Sequence, residues 1–86
     1  MTYNIQKIIR EIFVAEIGGD TSFVLERSEV ESRGDYSSNI ALVRAKREGK
    51  SPMELAEVYA ARLKENRPDV FLSVEAAHPG FLNVRL

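Results

Sequence analysis

The sequence predicts a two-layer α+β fold, an antiparallel sheet with helices packed on one face, and three observations carry that expectation. Three segments repeat their apolar residues at helical spacing. The segment from Val70 to Leu86 repeats them at a period of two. The elements then come in the order helix, strand or strands, helix, helix, two strands, which points to an antiparallel sheet covered on one side. With 86 residues, the chain forms one unit, residues 1–86, that hides only about 60% of its unfolded surface. A large catalytic barrel or a doubly wound nucleotide fold is excluded.

Ile5, Ile8, Ile9, Ile12, Phe13 and Ile17 fall on one helix face, with Lys7, Arg10, Glu11 and Glu16 opposite. Thr2 or Asn4 can cap the start, and Gly18-Gly19 ends the helix, since glycine accepts the positive φ common there. Phe23 to Arg27 is rich in β-branched and aromatic residues and reads as a strand. Ser28 to Tyr36 is a polar connection with room for a second short strand. Ser37-Ser38 offers hydroxyl caps to a helix running through Ile40, Leu42, Val43 and Ala45 and closed by Gly49.

Ser51-Pro52-Met53-Glu54 is a stronger start signal: the hydroxyl can take an orphan N–H, proline fits the first position and Glu54 can reach back. The stripe of this third helix is Leu55, Val58, Tyr59 and Leu63 with Ala56 and Ala60 beside it; Asn66 and Pro68 stop it. Val70, Leu72, Val74 and Ala76 then alternate with Phe71, Ser73, Glu75 and Ala77. After His78-Pro79-Gly80, Leu82, Val84 and Leu86 alternate with Phe81, Asn83 and Arg85, as in a hairpin. The aliphatic faces match across a three-residue loop, whereas Pro-Gly alone favours a two-residue turn, and the pattern leaves that register open.

Composition narrows function by exclusion. There is no cysteine, so disulfides, thiolate metal sites and thiol catalysis are absent, in keeping with a reducing, cytoplasmic setting. The N-terminus lacks a secretory signal, and the longest aliphatic run, Ile40 to Val43, is far short of the roughly 20 residues that span a bilayer. His78 is the only histidine. It has no second ligand or nucleophile beside it in sequence, so no catalytic, metal or cofactor site is expected. Arg33-Gly34-Asp35 spells an adhesion tripeptide that carries no weight in such a chain.

Two groups of residues can bind an anionic or aromatic ligand. The last strand presents Phe81, Asn83 and Arg85 on one face: a ring to stack on an unpaired base, a carboxamide for a base edge, and a guanidinium for phosphate or stacking. The plainer reading is that Phe81 packs beneath a helix and the other two are solvated. Arg44, Lys46, Arg47 and Lys50 crowd the end of the second helix, where they can contact phosphates or simply complement the helix dipole. The formal charge is −1, so a polyanion meets a local patch and not a basic molecule. Four basic and seven acidic groups in residues 1–43, against eight and six in residues 44–86, make the second half the anion-facing one.

Three stretches, Gly34-Asp35-Tyr36-Ser37-Ser38-Asn39-Ile40-Ala41-Leu42, Ser51-Pro52-Met53-Glu54-Leu55-Ala56 and Pro79-Gly80-Phe81-Leu82-Asn83-Val84-Arg85-Leu86, together resemble the N-terminal additional domain of arginyl-tRNA synthetases. The family pattern runs close to H-G-D-Y-A-T-N-I-A-L, N-P-R-E-I-A and G-P-G-F-I-N-F. Here Arg33 stands where His is common, Ser37-Ser38 replace Ala-Thr, and His78 stands where a small residue precedes the proline. The resemblance implies a monomeric, membrane-independent domain that touches the outer corner of tRNA(Arg) and reads a D-loop nucleotide from Phe81 and Asn83. Arg85 and the Arg44 to Lys50 cluster are the weaker, backbone-contact candidates. Gly34, Asp35 and Tyr36 are expected to shape the turn into the second helix.

The resemblance further implies a parent class I ligase that uses ATP and magnesium, with its catalytic domain as partner in cis. This chain has neither the HIGH-type nor the KMSKS-type signature and needs no cofactor of its own. The rival expectation is a protein-interaction module or structural cap that uses the last strand as a docking edge and makes no RNA contact.

Overall fold

Asn4 Oδ1 accepts the Lys7 amide at 3.0 Å and so opens α1 (Ile5–Ile17), which Gly18 closes at φ 84° by donating its N–H to the Val14 carbonyl at 2.9 Å. The structure, a computed structural model, describes residues 4–18, 22–29 and 34–86. Thr2 and Gly19, the other two positions expected to bound this helix, lie outside the described residues, as does Arg33. The apolar stripe covers the sheet from Ile9 onward: Ile9, Ile12, Phe13 and Ile17 are buried. Ile5 and Ile8, expected on the same face, are 46% and 44% exposed.

The sheet has four strands, β1 (Leu25–Arg27), β2 (Tyr36–Ser38), β3 (Ser73–Ala77) and β4 (Phe81–Arg85), all antiparallel in the order β1-β2-β4-β3. Two further helices, α2 (Ile40–Glu48) and α3 (Pro52–Asn66), join α1 on one face. This is the two-layer α+β architecture the sequence predicts. Leu25, Val74, Leu82 and Val84 point from the strands into the core, where they meet Ile9, Phe13, Ile40, Ala56 and Leu63. The Phe13 ring lies between Phe23 and Phe71, with centroids 6.1 and 6.3 Å away.

Local signals were met in part. Gly49 ends α2 in the left-handed conformation, with φ 65° and ψ 36°. The cap of α2 differs from expectation. Asn39 is the N-cap, Ser38 accepts the Ile40 amide on its buried hydroxyl, and Ser37 lies in β2 with its side chain on the opposite face. Ser51 and Pro52 open α3 as predicted, but the Ser51 hydroxyl makes no capping hydrogen bond. Val58, placed by its spacing on the buried stripe, is 50% exposed, while the neighbouring Ala56 and Ala60 are buried.

The largest correction concerns the start of β3. Alternation from Val70 puts Leu72 inward and Phe71 outward, yet Phe71 is buried and Leu72 is 74% exposed. The Arg67 carbonyl accepts both the Val70 and Phe71 amides, so residues 68–71 form a turn off the end of α3, and a period of two has no meaning there. From Ser73 to Arg85 the alternation holds, but Leu86, expected inward with Leu82 and Val84, is 42% exposed. Ala77 pairs with Phe81, which leaves a three-residue loop, His78 to Gly80, and resolves the register in favour of matched aliphatic faces. Gly80 has φ 151°, and a Cβ there would sit 2.5 Å from the Pro52 side chain, so only glycine lets this loop reach α3. Its carbonyl accepts the Leu42 amide of α2 at 3.1 Å.

Candidate nucleic-acid interface

Because β4 alternates, the burial of Leu82 and Val84 turns Phe81, Asn83 and Arg85 onto the face of the sheet that carries no helix, where each is half-buried. Phe81 is therefore not packed beneath α1 or α3. Strand order places β4 between β2 and β3, so this row occupies the middle of the face. It also removes the docking-edge mechanism expected for a protein-interaction module. Both sides of β4 are paired, and a partner strand has no free backbone to extend.

A recess of about 470 Å³ opens on this face, lined by Ser37, Ala77, His78, Pro79, Phe81 and Asn83. Phe81 and Ala77 are paired at its hairpin end, and the small Ala77 leaves the ring uncovered on that side. Asn83 is paired with Ser37 of β2 and with Glu75 of β3, and Ser37 pairs in turn with Glu26 of β1. The Ser37 hydroxyl donates to Asn83 Oδ1 at 2.9 Å. Side chains two apart on a strand stand about 7 Å from each other, so a flat ring stacked on Phe81 brings its edge toward the Asn83 carboxamide. Arg85 stands the same step further along, opposite Ser73.

Sequence reasoning selected Phe81, Asn83 and Arg85 but not Ser37, Ala77, His78 or Pro79. The β2–β4 pairing that brings Ser37 to Asn83 spans 46 positions and leaves no periodic trace. The proximity of His78 and Pro79 to the ring could have been read from the hairpin alone.

Gly34, Asp35 and Tyr36 organise the sheet, not the turn into α2 that was expected of them. A Cβ at Gly34, whose φ is 82°, would lie 2.6 Å from the Val84 carbonyl oxygen, and the next amide, Asp35, donates to that oxygen at 2.7 Å. Asp35 Oδ2 accepts the Leu86 amide at 2.7 Å. These residues lock β2 against the backbone of β4 and so hold the recess in shape.

The cations at the end of α2 sit apart from the recess, around the junction of α1 and α2. Arg44 donates to the Gly18 carbonyl at 2.7 Å and lies 3.5 Å from Glu48; Lys50 lies 3.5 Å from the same carboxylate. Arg47 donates to the Ser22 hydroxyl at 3.3 Å, and Lys46 is exposed. A larger groove of about 640 Å³ beside them mixes Arg44, Lys50 and Arg62 with Glu48 and Glu54. That alternation of sign suits internal pairing better than a polyanion. The Asp69 carboxyl is held below its usual range by the hydrogen bond from Arg67, an exposed pair in the α3–β3 connection with no part in either cavity. Among the described residues no helix is long and apolar enough to cross a membrane.

The chain is similar to known proteins along its length. The family described as "Arginyl tRNA synthetase N terminal domain" matches residues 1–86. The chain is 42% identical over 64 residues to the arginine–tRNA ligase of Bifidobacterium adolescentis, covering 74% of this chain and 10% of the relative. It is 39% identical over 62 residues to that of Geotalea uraniireducens, with 72% and 11% covered, and 44% identical over 59 residues to that of Hydrogenovibrio crunogenus, with 69% and 10%. The chain thus spans about a tenth of the length of the curated relatives it matches.

Proposed function

The chain belongs to the arginyl-tRNA synthetase N-terminal domain family, and from that premise we propose that it is a tRNA-positioning appendage that grips the outer corner of tRNA(Arg) through one D-loop base. The observation that carries this reading is the recess on the helix-free face, where a partly uncovered Phe81 ring and the Asn83 carboxamide stand on neighbouring outward positions. Base stacking on an aromatic ring and hydrogen bonding of an amide to a base edge are the means by which unpaired nucleotides are held. Arg85, one step along the strand, is the candidate for the adjoining phosphate. Lys46, with Arg44, Arg47 and Lys50 as weaker candidates, offers a second backbone contact.

On this reading the chain contributes binding and no bond-making. Joining arginine to tRNA, with ATP and magnesium, is the work of a class I catalytic domain in the same cytoplasmic polypeptide. Affinity of the domain alone is expected to be micromolar or poorer at physiological salt, with a shallow salt dependence, because a chain of net charge −1 neutralises few phosphates.

The test is a titration of the 15N-labelled chain with tRNA(Arg), with a D-loop variant and with a non-cognate tRNA. Shifts should centre on Ser37, His78, Phe81 and Asn83 and be largest for the cognate molecule. Shifts confined to other surfaces, with the recess silent, would overturn the proposal and favour a protein-docking role for the domain.

A further inference from the structure

Six large aliphatic side chains stand exposed among the described residues, and four of them, Ile5, Ile8, Leu72 and Leu86, gather toward one end of the fold. The Arg10 side chain donates to the Phe23 carbonyl at 3.1 Å and the Gln6 side chain to the Leu25 carbonyl, so α1 runs antiparallel to β1. Its first turn, which carries Ile5 and Ile8, is therefore the part nearest the Arg27 end of the sheet, and helix side chains lean further that way, toward the helix N-terminus. Arg27 is paired with Tyr36 and Tyr36 with Val84, so β4 finishes at that same end. Ser73 pairs with Arg85 there, which makes Leu72 and Leu86 neighbours one step beyond the last pair, and the Leu72 amide donates to the Arg85 carbonyl at 2.6 Å. Leu72 is 74% exposed and the other three are 42 to 46% exposed. Aliphatic side chains scattered singly over a surface need no explanation, whereas a group of them marks an interface.

We propose that this end is the surface by which the domain docks on the polypeptide that follows Leu86, with an apolar face of that segment laid against Ile5, Ile8, Leu72 and Leu86. The proposal rests on the family reading, in which the curated relatives are about ten times as long as the stretch they share with this chain. It adds to the proposed catalytic partner in cis the place where the two meet. Leu86 is itself one of the four, and its backbone is pinned: Asp35 Oδ2 accepts its amide at 2.7 Å, while the Asp35 amide donates to the Val84 carbonyl at 2.7 Å. A segment that leaves from a fixed point inside the patch is present there at an effective concentration in the millimolar range. That exceeds the concentration of a partner in free solution, so the tethered segment takes the surface ahead of a second copy or another protein. Docking here also leaves the recess open, since the five residues of β4 separate the hairpin loop from Leu86 by about 17 Å.

The experiment compares the 86-residue chain with the full-length polypeptide that carries it, by peptide-resolved hydrogen exchange and by urea melts. Peptides covering Ile5 to Ile12 and Val70 to Leu86 should exchange about tenfold or more slowly in the full-length polypeptide, the factor corresponding to burial of one leucine. Leu72→Ser alters a side chain already in water and should leave the urea midpoint of the 86-residue chain unchanged. In the full-length polypeptide the same substitution should speed exchange of both peptides by about tenfold. Val58→Ser, at a residue 50% exposed on α3 beside the other groove, should change neither protein. Equal exchange of these peptides in the two proteins overturns the docking, and so does protection that persists when Leu72→Ser is combined with Ile5→Ser. A dimer of the 86-residue chain in sedimentation that Leu72→Ser dissolves overturns it too, by giving the patch to a second copy. No RNA enters the measurement, so its failure leaves the reading of the recess standing, and failure of that reading leaves the docking surface to be decided by exchange.

Discussion

Phe81 and Leu82 are adjacent in sequence and opposite in role, so truncating each in turn separates recognition from folding. Leu82 is 0% exposed and packed between sheet and helices. Leu82→Ala should cost about 2–5 kcal/mol, a large share of the roughly 4–13 kcal/mol available to a domain of 86 residues. Phe81 is half-buried on the outer face beside the small Ala77. Its truncation forfeits only part of the roughly 1.5–3 kcal/mol of a fully buried ring, about 1 kcal/mol.

In urea, with a slope of about 1 kcal/mol/M for a domain of this size, the midpoint should fall by about 2 M or more for Leu82→Ala. For Phe81→Ala it should fall by about 1 M or less. Binding should move the other way. Losing one base–ring stack is worth about 1–3 kcal/mol, so Phe81→Ala should bind tRNA(Arg) about 5-fold to 150-fold more weakly while its spectrum stays folded. Equal losses of stability from the two variants would refute the assignment of faces. Retention of wild-type affinity by a folded Phe81→Ala would refute stacking as the mode of recognition.

Two further variants probe the support of the site and its surroundings. Gly80→Ala forces a Cβ to within 2.5 Å of Pro52 at a positive φ, and should cost about 1–3 kcal/mol in a urea melt; a wild-type midpoint would show that the hairpin does not depend on its contact with α3. Lys46→Ala with Lys50→Ala should weaken every tRNA alike and reduce the log–log salt slope by about one per lost phosphate contact. An unchanged slope would assign the end of α2 wholly to helix pairing.

The sequence is most informative where structure is local. Gly49, Asn4, the Ser51-Pro52 start and the alternation of Ser73 to Arg85 are all decided by neighbours a few positions away, and they were readable with their ends. The assignments that failed depend on what lies across the fold. Phe71 and Leu72 exchanged places because a turn following α3 resets the phase before β3 begins. Ser37 looked like a helix cap because capping is its commonest local use; only the pairing of β2 with β4 reveals that it faces Asn83 instead. The ring, amide and guanidinium of the site were legible as a row along one strand. Whether that row faced solvent or helix depended on the helices gathering on a single face, and its place in the middle of the sheet on a strand order, β1-β2-β4-β3, that no periodicity encodes.

The charge arrangement decides how such a site has to be used. Arg44 and Lys50 are drawn to Glu48, Arg44 also to the Gly18 carbonyl and Arg47 to Ser22, and two carboxylates share the row that holds Asn83. Unspecific attraction to a polyanion is thereby reduced, so on the proposed reading the phosphate contacts add little and most of the binding free energy comes from one stacked and hydrogen-bonded base. One such contact cannot retain a tRNA at cellular concentrations. Tethered to a second tRNA-binding surface, though, it acts at an effective concentration in the millimolar range for a short linker, where even a weak grip is occupied. The same weakness confers discrimination, because a site with almost no electrostatic background loses most of its affinity when the base is wrong, whereas a basic patch would hold any RNA.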